Sequence, residues 1–156
     1  LDEERAAEAV KKFRERYEAI GWKECTLAEG TEELLEKLKK SGRIVALATS
    51  KVEEFAKRIL EYFGIAGYFD FIGGAEMNVK GRNGKADVIE YVLKALNVSD
   101  RSEAVIVGDT LYDAEGAKAA GIDFIGALWG YGSREELEER GAVSAAESME
   151  EIFGLV

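Results

Sequence analysis

The stretch Val105-Ile-Val-Gly-Asp-Thr-Leu-Tyr-Asp-Ala-Glu-Gly-Ala-Lys-Ala-Ala-Gly121 decides the fold. Three β-branched residues run into Gly108-Asp109, and an Ala-rich segment follows until Gly121, a helix stop. A short, wholly apolar run that turns directly into a helix is half of a β-α-β unit. The pattern recurs on both sides. Strands are predicted at Ile44–Thr49, Phe69–Ile72, Ala104–Val107, Asp123–Leu128 and, more weakly patterned, Ala142–Ala145. Helices are predicted between them at Lys51–Phe63, Lys85–Leu96 and Tyr112–Ala120, each with one apolar face. Apolar strands separated by amphipathic helices predict an α/β fold, a doubly wound parallel sheet covered on both faces.

Upstream, Asp2 is placed to cap a helix whose apolar stripe is Ala6, Val10, Phe13, Tyr17 and Ile20, and Gly21 ends it. Thr31 is placed to cap a second helix carrying Leu34, Leu35 and Leu38, which Gly42 ends. Downstream, Ser133–Arg140 and the Glu-rich C-terminus read as solvated faces.

Composition narrows the chemistry. The 156 residues suit one domain. With no His, His-dependent triads and His-bound zinc are excluded, so catalysis falls to carboxylates, lysine, hydroxyls or an oxygen-bound metal. Usage of about 5% would give roughly eight prolines, and the chain has none, which points to an unusual sequence history or to design. The net charge of −10 disfavours extended nucleic-acid binding. No apolar run reaches the roughly 20 residues of a membrane helix. The lone Cys25 cannot form an internal disulfide, and a cytoplasmic location is expected.

Ligands in such sheets bind beyond the carboxyl ends of the strands, and three positions there carry chemistry. Thr49-Ser50 offers hydroxyls and backbone N–H groups to a phosphoryl oxygen, or alternatively caps the following helix. Lys85 closes the basic stretch Lys80-Gly-Arg-Asn-Gly within an acidic chain, which suits an anionic substrate or a solvated loop. Asp109 and Asp113 supply hard oxygens for magnesium, or else cap a helix and complement its dipole. The Trp129-Gly-Tyr-Gly-Ser133 loop is positioned to line a substrate entrance.

In this order the segments resemble the haloacid-dehalogenase-type phosphatases, phosphoglycolate-phosphatase-like members in particular. Val45-Ala-Leu-Ala-Thr-Ser-Lys51 is similar to the family's second motif, Lys85 to its third and the 105–121 stretch to its fourth. The resemblance implies a magnesium-dependent phosphoric monoester hydrolase acting on a small phosphorylated metabolite. It implies that Thr49 and Ser50 bind the transferring phosphoryl group, that Lys85 orients the nucleophile and stabilises charge, and that Asp109 ligates magnesium with support from Asp113.

One departure matters most. The family's first motif, Asp-x-Asp-Gly-Thr after an apolar strand, carries the nucleophile, and no Asp-x-Asp occurs in this sequence. Residues 1–25 look like a remnant of the family's helical cap and its connection, and residues 26–156 like the α/β core without its central strand. The expectation is a segment of a longer family member, inactive alone. A designed or degenerate domain that binds phosphate or magnesium without turnover is the alternative. Loss of the central strand would leave two strand edges unpaired or force direct pairing. Val52 and the Ala28-Glu29-Gly30 segment also stand where relatives commonly carry proline. A phospho-acceptor receiver domain would place its acidic residues first and its Lys last, against the order Thr49, Lys85, Asp109. A dinucleotide-binding domain would need Gly-x-Gly-x-x-Gly where Ala48-Thr-Ser-Lys51 stands.

Overall fold

A computed structural model describes residues 2–76 and 81–156, so Lys80 of the basic stretch lies outside the described residues. Helix α1 (Glu3–Ala19) is capped by Asp2, whose carboxylate accepts the Arg5 N–H at 2.9 Å. α2 (Thr31–Lys40), β1 (Ala46–Val52), α3 (Glu53–Tyr62), β2 (Phe71–Ala75) and α4 (Lys85–Ala95) follow. β3 (Val105–Gly108), α5 (Leu111–Ala120), β4 (Asp123–Ala127), α6 (Arg134–Glu139), β5 (Ser144–Ala146) and α7 (Met149–Leu155) complete the chain.

The strands are parallel, as predicted, but they form two sheets. β1 pairs with β2, and β3, β4 and β5 pair in that order. Among the described residues β1 and β3 are not joined, so of the two expected outcomes the unpaired edges are what the chain adopts.

Helices hold the two sheets together across this slot. On one face α2 spans both: Leu34 packs with Ile125, Ala146 and Ile152, while Leu35 packs with Val45, Leu60 and Ile65, and Leu38 touches both groups. On the other face α4 and α5 meet. There Ile89, Leu93 and Ala120 form one cluster that reaches Ala48 of β1 and Ile106 of β3. Burying such side chains supplies about 25 cal/mol per Å² of apolar surface, the main term holding the halves in place.

Local chemistry moved several boundaries. β1 starts at Ala46, not Ile44, because the Asp70 carboxylate takes the Val45 N–H at 2.8 Å and also the Lys39 ammonium at 2.6 Å. Thr31 is the first residue of α2 and not its cap; Gly30, with φ 79°, makes the entry, and the Thr31 hydroxyl donates to the Ala28 carbonyl at 2.7 Å. The α1 stripe formed as a helix, yet Val10, Phe13 and Ile20 are exposed and only Tyr17 is partly covered. Among the described residues no helix is long and apolar enough to cross a membrane.

Candidate active site at the slot between the half-sheets

All of the predicted site residues lie at the carboxyl ends of β1 and β3 or at the start of the helices beside them. β1 and β2 pair regularly from Ala46 to Ala48, and the register then shifts before Val52. Thr49, Ser50 and Lys51 occupy this irregular stretch. The Thr49 hydroxyl accepts the Lys51 N–H at 3.2 Å. α3 starts only at Glu53 with Val52 as its cap, which removes the reading of Thr49-Ser50 as a plain helix cap. A bulged strand end with exposed polar groups is a common way to present atoms to a ligand.

Lys85 is the first residue of α4 and bridges β1 to helix α5. Its ammonium donates to the Ala48 carbonyl of β1 at 3.0 Å and pairs with Asp113 Oδ1 at 2.7 Å. The path over α5 is open because residue 116 is Gly; a Cβ there would come within 2.6 Å of Lys85 Cγ.

Asp113 sits in the first turn of α5 and is 5% exposed. Its second oxygen accepts the Thr110 N–H at 3.0 Å and the Thr110 hydroxyl at 2.6 Å. It tucks beneath Gly108, where a Cβ would fall 2.3 Å from its carboxyl carbon. Burial opposes ionisation, but the hydrogen bonds from Lys85 and Thr110 and the Lys85 charge outweigh it, so its pKa lies below the ordinary aspartate value. Both oxygens of Asp113 are therefore engaged, and its support for the site passes through Lys85.

Asp109 is partly exposed and is held by the 129–133 loop. The Tyr131 N–H donates to Asp109 Oδ2 at 3.1 Å and the Gly132 N–H to the Asp109 carbonyl at 2.8 Å. Gly130 permits this embrace, since a Cβ there would lie 2.2 Å from Asp109 Cβ. A cavity of about 230 Å³ opens beside it, lined by Asp109, Thr110, Tyr112, Tyr131, Glu136 and Arg140. Magnesium is commonly held by one or two carboxylates together with substrate phosphate and water. Asp109 meets that requirement at its lower bound. No group of three acidic, His or Cys ligands occurs among the described residues.

The profile of the haloacid dehalogenase-like hydrolases matches residues 1–127. The chain belongs to the haloacid dehalogenase-like hydrolase family. It is 32% identical to the phosphoglycolate phosphatase of Vibrio parahaemolyticus, covering 100% of this chain and 68% of that one. It is 39% identical over 136 residues to the tyrosine-protein kinase PtkA of Mycobacterium tuberculosis, covering 87% of this chain but 46% of that protein. The crystal structure of a Clostridium difficile protein assigned as a phosphatase superposes with a TM-score of 0.93 at 42% identity, covering 99% of this chain and 72% of that one. The α/β fold expected of this family is thus the fold observed.

The 129–133 loop was singled out from the sequence, but not that Gly130 leaves room for Asp109 or that the Tyr131 N–H holds it. Gly116, which leaves room for Lys85, and Tyr17 were not singled out as site contributors. Tyr17 reaches the site region from α1, where its Oη accepts a hydrogen bond from Lys51 Nζ at 2.6 Å. The helical spacing of Tyr17 marked only an apolar stripe.

Proposed function

We propose that this chain carries the phosphoryl-binding part of a phosphatase acting on a small phosphorylated metabolite in the cytoplasm, with residues 1–25 as cap remnant and 26–156 as core. The observation that carries the reading is the Lys85 bridge. It puts an ammonium at the mouth of the slot, between the end of β1 and the Asp113 carboxylate. The relatives' activities, a phosphoglycolate phosphatase and a tyrosine kinase, have phosphoryl transfer in common.

Thr49 and Ser50 would hydrogen-bond the equatorial oxygens of the transferring phosphoryl group, and Lys85 would balance their charge. Asp113 and Thr110 hold Lys85 in place for this. Asp109, fixed by the Tyr131 and Gly132 N–H groups, is the residue that would hold magnesium. Magnesium, when bound, supplies neutralisation of phosphoryl charge. The sequence has no Asp-x-Asp motif, and in this reading the nucleophile would come from a further strand seated between β1 and β3.

The test is a phosphomonoesterase assay with 2-phosphoglycolate and magnesium on the purified chain, alone and with a peptide made of an apolar strand ending in Asp-x-Asp-Gly-Thr. No turnover is expected alone, and turnover sensitive to Lys85→Ala and Asp109→Ala is expected with the peptide. Turnover by the chain alone would mean that it holds its own nucleophile. Binding of phosphate with no turnover under either condition would favour the non-catalytic reading.

A further inference from the structure

Arg82, in the basic stretch ahead of α4, is not a free cation. Its side chain is 16% exposed, and its guanidinium lies 3.6 Å from the centre of the Tyr91 ring, which meets Phe71 of β2 edge-on at 5.2 Å. The fork reaches three acceptors. Nε donates to the Gly74 carbonyl at 2.8 Å, Nη1 to Glu76 at 3.0 Å and Nη2 to Glu53 at 3.0 Å. Glu53, the first residue of α3, also accepts the Gly74 N–H at 3.3 Å and the Lys57 ammonium at 2.6 Å.

Two glycines of β2 permit this arrangement. A Cβ on Gly73 would strike Val92 of α4, and one on Gly74 would come within 2.6 Å of the Lys51 carbonyl oxygen and of Glu53 Cα. Neighbouring strand residues face opposite ways, so α4 and the start of α3 press on β2 from its two sides.

The segment 82–85 then straddles the irregular stretch of β1. Lys85 binds the Ala48 carbonyl just before Thr49, and Arg82 binds Glu53 just after Val52. Both ends of the stretch whose register shifts are pinned by cations three residues apart. A largely buried ion pair adds little net stability over apolar residues of the same volume, but a planar fork with three acceptors holds them in one geometry.

We infer that the Glu53–Arg82 pair sets the spacing between Thr49-Ser50 and the Lys85 ammonium, with Arg82 and Glu53 as positioning residues for phosphoryl binding. This rests on the phosphomonoester reading above. Neither residue touches the phosphoryl group; both act through the elements that do.

Calorimetric titration of the whole chain with inorganic phosphate, together with NMR of the Lys85 Cε resonance in the ligand-free protein, tests this. Arg82→Met is expected to weaken phosphate binding at least tenfold and to move the Lys85 resonance. Glu53→Gln should give a smaller loss in the same direction, and Arg82→Lys, which keeps the charge but not the fork, should not restore affinity. Lys57→Met removes an equal charge from the solvent side of Glu53 and should change affinity less than twofold. In a Lys85→Ala background, Arg82→Met should cause no further loss. A tenfold loss in that background would mean that Arg82 acts on phosphate directly, and an equal loss in Lys57→Met that charge alone matters. Either result, or unaltered affinity in Arg82→Met, overturns the inference. If the wild type binds no phosphate, the phosphomonoester reading falls and the Lys85 resonance decides alone. Movement in Arg82→Met but not in Lys57→Met then upholds the spacing role, and no movement overturns it. Thermal melts identify the folded variants, and if Arg82→Met does not fold, Glu53→Gln and Arg82→Lys carry the same comparisons.

Discussion

β3 and β4 are neighbouring parallel strands of similar apolar composition, yet they differ sharply in burial. Val105 and Val107 of β3 are each 37% exposed, whereas Phe124 and Ile125 of β4 are 2% and 1% exposed. The register pairs Val107 with Ile125, so the two side chains lie on the same sheet face. Ile125 has α2 and α7 above it and strands on both sides; Val107 stands on an edge strand with a paired neighbour on one side only. Strand identity is thus encoded locally, while burial depends on whether both neighbours are present. β1 shows the same condition from the other side of the slot, and Lys85 ties its end to α5.

The largest expected effect comes from removing that tie. Asp113→Ala leaves the Lys85 ammonium and the Thr110 donors without their acceptor, at an expected cost of about 3–5 kcal/mol, read by urea denaturation. The same carboxylate gives a pH signature. Its folded pKa is lowered, so its contribution is fully present above the unfolded value near 3.8 and disappears as the pH falls through the lower folded value. Asp113→Asn should flatten the acid limb of the stability curve, and an unchanged limb would show that the pair does not couple the half-sheets.

The contrast between neighbouring strands is tested directly by truncating both members of one register pair. Ile125→Ala should cost about 2–5 kcal/mol, and Val107→Ala much less, because its side chain already meets solvent. Equal losses would mean that the slot is closed in solution. A smaller effect is expected at Gly116. Replacement by Val drives a side chain into Lys85 and Ile89 where α4 crosses α5, costing about 1–3 kcal/mol, and should weaken phosphate binding through displacement of Lys85. Lost stability with intact phosphate affinity would separate helix packing from the placement of the ammonium.

The elements themselves were readable because their signals are local. Val105–Gly108 announced a strand by its β-branched run, Gly121 a helix stop, and Asp2 a cap. The absence of Asp-x-Asp was equally plain, but whether β1 and β3 would keep unpaired edges or pair directly was left open until the two sheets were seen. Boundaries failed where a distant side chain intervened, as when Asp70 took the Val45 N–H and delayed β1.

Residue types, their order and the missing motif were determined by the sequence itself, since periodicity, turn residues and charge are properties of neighbours along the chain. The division of labour between two aspartates four residues apart was not. Asp113 became the buried partner of Lys85 and Asp109 a partly exposed carboxylate held by backbone N–H groups only because α4 crosses α5 at Gly116 and the 129–133 loop folds over β3. Tertiary structure likewise left Lys51 to a phenol from α1 and gave Glu53 to Lys57 and Arg82. Desolvation and ion pairing depend on groups brought together from remote parts of the chain, and only folding sets those distances.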